Sequence, residues 1–122
     1  MSDIRDLMGA YAQALDDGRT DDVVATFTPD ATVALPGRDV LRGHDAIRQA
    51  YAGMVPRRPQ RHVVSNTVVT VVDDNNAHAS SDLLVLGKGE SGWTVQFVGR
   101  YTDELRRHEG AWRFAARTLE LS

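Results

Sequence analysis

The feature that most constrains this chain is a change of period at Arg61. Before it, apolar residues recur every three or four positions. After it they alternate, and the alternation persists almost to the end. A spacing of three and four places one apolar stripe on a helix, and a spacing of two places one apolar face on a strand. The chain therefore divides into a helical first half and a strand-rich second half.

In the first half, Ile4, Leu7, Met8, Tyr11 and Leu15 form the stripe of a first helix. Ser2 or Asp3 serves as its N-cap, and Gly18 suits its stop. A second, short helix is expected over residues 21–27. Thr20 would cap it, and Asp21 and Asp22 would occupy its acidic first turn, with Pro29 ending it. Residues 31–35 read as a short strand broken by Pro36-Gly37. A third helix over 44–54 carries Ile47, Ala50, Tyr51 and Met54 on its apolar side. Pro56 and Pro59 then bracket Arg57 and Arg58 in a loop that cannot be helical.

In the second half, four strands are expected over 61–73, 77–86, 93–106 and 112–121. Asp73-Asp74-Asn75-Asn76, Lys88-Gly89-Glu90-Ser91-Gly92 and His108-Glu109-Gly110 are the turns between them. Long strands joined by short turns pair antiparallel. Helices segregated ahead of such a meander give an α+β fold. Strands of ten or more residues twist and curl, and a curled sheet with helices across its concave side encloses a pocket. A length of 122 residues makes this one domain, spanning 1–122.

The same arithmetic removes whole classes of function. The formal charge is −3, which argues against a nucleic-acid binder. There is no cysteine, hence no disulfide, thiolate metal site or cysteine nucleophile. No run of eighteen apolar residues could span a membrane, and the charged N-terminus has no apolar leader, so a cytoplasmic location is the expectation. His44, His62, His78 and His108 lack metal-ligand spacing, and neither a nucleophile elbow nor a phosphate-binding glycine loop occurs. No metal and no cofactor is expected.

Several motifs together carry a resemblance. Tyr11-x4-Asp16 lies late in the first helix and is followed by Phe27-Thr28-Pro29-Asp30-Ala31. Gly43-x3-Ile47 opens the third helix. Arg61-His62-x3-Asn66 opens the long strand. Gly99-Arg100-Tyr101-x-Asp103 and Gly110-x-Trp112-Arg113-Phe114 complete the set. The chain resembles the SnoaL-like branch of the nuclear-transport-factor-2-like superfamily. That resemblance covers essentially the whole chain. It implies a cone-shaped curved antiparallel sheet with three N-terminal helices around a pocket, the fold shared by scytalone dehydratase and ketosteroid isomerase. The fold hosts dehydratases, isomerases, cyclases and non-catalytic modules, so function has to come from the site.

Asp16 and His62 are the candidate catalytic pair. On the first helix Asp16 lies on the flank of Gly9 and Ala12, small residues that leave room beside a carboxylate. Its place in the last turn opposes the helix dipole. Read as residues alone, Asp16 and Asp17 also fit a solvated helix end, and His62 an ordinary strand side chain. The resemblance implies a pocket aspartate and a catalytic histidine at these two positions. A histidine exchanges protons near neutral pH, and an adjacent carboxylate fixes its tautomer. The second pocket histidine of scytalone dehydratase is not matched by a placed residue: His78 lies near a turn.

Tyr11, Tyr51, Asn66, Phe97 and Arg100 are the candidate ligand-binding side chains. Strict alternation puts Asn66 on the same face as His62, and Trp93 on that of Phe97 and Tyr101. Arg100 has Asp82 or Asp103 as its expected partner, an ion pair being favoured over a ligand clamp. An aromatic-walled cavity suits a flat apolar ligand. The leading expectation is a cofactor-free enzyme that dehydrates, isomerises or cyclises a ring-bearing apolar metabolite. The alternative is a ligand-binding or dimerisation module without chemistry. The Val-rich outer strand faces suit a homodimer formed through the sheet.

Overall fold

The computed structural model describes residues 3–122. Helix α1 spans Ile4–Asp16, α2 Thr20–Ala25 and α3 Gly43–Ala52. The strands are β1 Phe27–Ala34, β2 Leu41–Arg42, β3 Gln60–Asp73, β4 Asn76–Gly89, β5 Gly92–His108 and β6 Ala111–Leu121. Three helices lie against one six-stranded sheet of order β2-β1-β6-β5-β4-β3. The α+β class and the curved sheet are those expected from the change of period.

Helix α1 begins at Asp3, whose side chain accepts the Asp6 N–H at 2.8 Å. Asp6 reciprocates toward the Asp3 N–H, which completes a capping box. Ser2, the other candidate cap, lies outside the described residues. The helix stops where Gly18 takes φ +70° and the Arg19 N–H reaches back to the Ala14 carbonyl at 2.9 Å. Ile4, Met8, Tyr11 and Leu15 are buried, as their spacing requires.

The second helix differs from its expectation. Thr20 is its first residue, not its cap, and it ends at Ala25. Thr26 turns the chain by donating its hydroxyl to the Val23 carbonyl at 2.6 Å. Phe27 and Pro29 therefore belong to β1. Pro29 is tolerated there because the pairing of β1 with β6 shifts register between Phe27 and Thr32, so its missing N–H breaks no ladder bond. The short β2 was not legible, since two residues carry no period. It pairs Leu41 with Val33 at the sheet edge.

β3 to β6 form the antiparallel meander. β1 pairs parallel to β6, so the last strand of the meander lies between β1 and β5. The concave face carries Ala77, Ala79, Leu83, Val85, Tyr101 and Leu105 against the helices. No helix among the described residues is long and apolar enough to cross a membrane.

Three irregularities in the ladders decide which side chains face inward. One falls between Ser65 and Val68 at Asn66, which has φ +53°. The second is at Gln96, since Val85 pairs with Phe97 but Leu86 with Val95. The third is at Ala115, since Glu104 pairs with Ala116 but Leu105 with Phe114. Each extra residue inverts the alternation beyond it.

Candidate functional site

Asp16 closes α1 and His62 opens β3, and the packing of helix on strand brings them together. Asp16 Oδ2 accepts the backbone N–H of His62 at 2.8 Å, and Oδ1 stands 2.7 Å from His62 Nδ1. The Gln60 side-chain amide donates to the same Oδ1 at 3.2 Å. The carboxylate therefore holds the histidine by main chain and ring at once. A carboxylate is acceptor-only, so Nδ1 carries the proton and Nε2 is the basic nitrogen of the neutral ring. Nε2 has no hydrogen-bond partner among the described residues. The side chains of His62 and Asp16 are 10% and 5% exposed, so the pair is shielded from solvent yet not sealed.

His62 lines a cleft of about 510 Å³ between α1 and β3. Met8, Gly9, Ala12 and Gln13 form its helix wall, and Val64 and Thr67 continue its strand wall. A Cβ built on Gly9 would meet nothing within 4 Å, so the small-residue flank of α1 does leave open space.

The other candidates divide by face. Phe97 is on the concave face in the same cross-strand row as His62, with Val85 between them. Tyr11 and Tyr51 are inside, but they are 2% exposed and spend their hydroxyls on each other at 2.6 Å. Burial raises the pKa of both phenols, that of Tyr51 to about 12. They pack the core instead of lining an open chamber. Asn66 borders the same cleft as His62, but its side chain does not share the face of His62. The bulge turns it to the convex face, where its amide donates to Asp82 Oδ2 at 2.8 Å. Arg100 is there too, its guanidinium donating twice to Asp82 Oδ1 at 2.9 and 2.8 Å. The Arg100–Asp82 ion pair is one of the two expected for Arg100 from the sequence, and residues 82 and 100 pair across β4 and β5 on the outer face. Trp93 likewise sits outside, 45% exposed, because the Gln96 bulge separates it from Phe97 and Tyr101.

The middle of the cone is filled. Arg117 and Asp103, paired across β6 and β5, are fully buried with Nε and Oδ1 3.1 Å apart. The guanidinium carbon lies 3.4 Å from the Tyr101 ring centroid, 4.3 Å from that of Tyr11 and 4.2 Å from that of Phe114. Such an aromatic cage stabilises a desolvated cation. The two charges face each other without hydrogen-bond geometry, and both Asp103 oxygens lack a hydrogen-bond donor among the described residues. Burial pushes the Asp103 carboxyl up to about 6, and Arg117 opposes that rise.

Two participants were missed at the sequence level. Gln60 was legible, since alternation puts residues 60, 62 and 64 on one face. Arg117 was not, because only the Ala115 bulge turns it inward.

A family model for a SnoaL-like domain matches residues 1–118. No curated protein matches. Among solved structures, a variant of Rv3472 from Mycobacterium tuberculosis, described as of unknown function, superposes with a TM-score of 0.90. It is 25% identical over 98% of this chain and 69% of its own. A Novosphingobium aromaticivorans protein given the provisional name scytalone dehydratase superposes with a TM-score of 0.86, at 24% identity over 98% and 81%. A Catenulispora acidiphila protein in complex with S-DNPA superposes with a TM-score of 0.86, at 28% identity over 97% and 90%. With its helices ahead of a curled meander and its match along nearly the whole sequence, the chain belongs to the family of SnoaL-like domains.

Proposed function

We propose that this protein is a cofactor-free acid–base enzyme that dehydrates, isomerises or cyclises a ring-bearing apolar metabolite. His62 Nε2 moves the proton, and Asp16 fixes the tautomer and supports the imidazolium that forms. The observation that carries this reading is the two-point grip of one buried carboxylate on the backbone and ring of His62. A solvated helix end would not direct both oxygens at one residue. The cleft beside His62 offers the ring Met8, Ala12 and Val64, with Arg5 and Gln13 as polar neighbours, and Phe97 lies in the same cross-strand row as His62 outside that lining.

The test is proton exchange at a ring ketone. Incubation of 2-tetralone in deuterated buffer is expected to show catalysed deuterium uptake next to the carbonyl. Asp16→Asn and His62→Ala should each slow it by about 10²–10⁴-fold, the range for a positioned general base. Uptake at one rate in all three proteins sinks the proposal.

The convex face favours a second reading that is compatible with the first. Val63, Val95 and Val98 are 41–59% exposed there, beside Trp93. We propose that a second copy of the chain covers them. Light scattering at micromolar concentration should give a dimer, and Val98→Glu a monomer.

A further inference from the structure

A second cleft, of about 450 Å³, shares no lining residue with the first but includes Gln60, two residues from His62 on the same strand face. It lies under the loop 53–59 at the ends of β3, β4 and β5. Arg57, Arg58 and Lys88 border it, Gln60, Val85 and Gln96 form much of its floor, and no carboxylate lines it. The His62 cleft likewise has a cation, Arg5, and no carboxylate in its lining, but this one gathers three cations. Elsewhere, Arg19, Arg48, Arg100, Arg106 and Arg117 each lie against an aspartate, whereas Arg5, Arg38, Arg42, Arg61, Arg107 and Arg113 do not. Among the described residues, Arg57, Arg58 and Lys88 have no acidic partner.

The loop that carries the two arginines is held in place. Pro56 and Pro59 fix φ on either side of them. The Pro59 carbonyl accepts the Lys88 N–H at 2.9 Å, which ties the loop to β4. At its other end Val55 packs on Gly18, its Cγ1 3.0 Å from where a Cβ there would sit. The backbone that carries the three cations is thus fixed around one concavity, and their exposed side chains reach over it. The floor leads toward the catalytic pair: Gln60 donates to Asp16, and Val85 pairs directly with His62.

We propose that this cleft is a subsite for the anionic group, carboxylate or phosphate, of the small molecule whose ring lies beside His62. The ligand is then amphipathic, with an acid at one end and an apolar ring at the other. The proposal rests on the reading above only for the placement of the ring. Arginine and lysine are the side chains that meet such oxyanions, arginine in a two-pronged manner.

The test uses the full chain and three probes: 2-naphthoate, its neutral counterpart 2-naphthalenemethanol, and inorganic phosphate. Calorimetry is expected to give 2-naphthoate at least tenfold tighter binding than the alcohol. The largest amide shifts should fall at Gly87, Gly89 and Thr94, and the preference should shrink as salt rises. The combined variant Arg57→Gln, Arg58→Gln, Lys88→Gln should lose the preference. All three side chains are on the surface, and circular dichroism checks its fold. His62→Ala should retain the preference, so this subsite stands even where proton exchange at the ketone fails. Phosphate that moves the same amides while 2-naphthoate does not assigns the group to a phosphate ester and supports an anion site. Equal affinity for acid and alcohol with no response to phosphate, or a preference that survives the combined variant, overturns the proposal.

Discussion

At the scale of the residue, the decisive contact is the grip of Asp16 on His62. Because Nδ1 donates to the carboxylate, the neutral ring should be almost wholly the Nδ1–H tautomer. Nitrogen-15 shifts of labelled His62 are expected to show this, and Asp16→Asn should restore a mixture. The buried Asp103 makes a different prediction. Its carboxyl titrates at about 6 in the folded protein, against 3.8 ordinarily. The native state therefore binds more protons than the unfolded chain between those values, and this group's contribution to stability falls as pH rises through that window. The fall is about 3 kcal/mol at most, set by the gap between the two values. Thermal melts of wild type and Asp103→Asn at pH 4 and pH 7 check it. The stability of wild type relative to the variant should drop between the two. The Asp16–His62 pair was legible through the family resemblance, since read as residues alone Asp16 also fits a solvated helix end and His62 an ordinary strand side chain. The sequence did not hold the Arg117–Asp103 pair, whose arginine faces inward only after a local slip of the ladder.

At the scale of the element, the bulges explain why the strands were legible and their faces were not. Three helices and the four long strands are legible from period and turn chemistry to within a few residues, whereas β1 starts four residues before its expected start and the two-residue β2 carries no signal. Period alone cannot reveal an inserted residue, so Asn66, Trp93 and Arg117 each fall on the face opposite to strict alternation. Asn66 sits at φ +53°, a region that asparagine tolerates and β-branched residues do not. Asn66→Val should cost about 1–3 kcal/mol in urea unfolding, and Asn66→Gly less, since glycine adopts the angle and loses only the bond to Asp82. Gly99 is a second sensitive point. A Cβ there would stand 2.7 Å from the Glu120 carbonyl oxygen on β6. Gly99→Ala should therefore push β5 and β6 apart and destabilise by about 1–3 kcal/mol, read from the same titration.

At the scale of the whole molecule, the fold fills its interior with packed side chains and leaves its open clefts at the margins. The sequence suggested a chamber enclosed by the cone. Instead three tyrosines, two phenylalanines and an ion pair occupy that space, and the open volumes lie along the α1–β3 seam and under the loop 53–59. Arg117→Met should cost about 3–5 kcal/mol by chemical denaturation, because it strands a buried carboxyl. Pairing it with Asp103→Leu should recover most of that loss. The parallel match of β1 with β6 bears on how the molecule is made. Thr32 must wait for Ala116, so β1 emerges from the ribosome long before the strand that completes its hydrogen bonds. Until then it is an unpaired edge, open to association with neighbouring chains. The meander can assemble hairpin by hairpin, but joining the two halves of the sheet is necessarily a late event in synthesis.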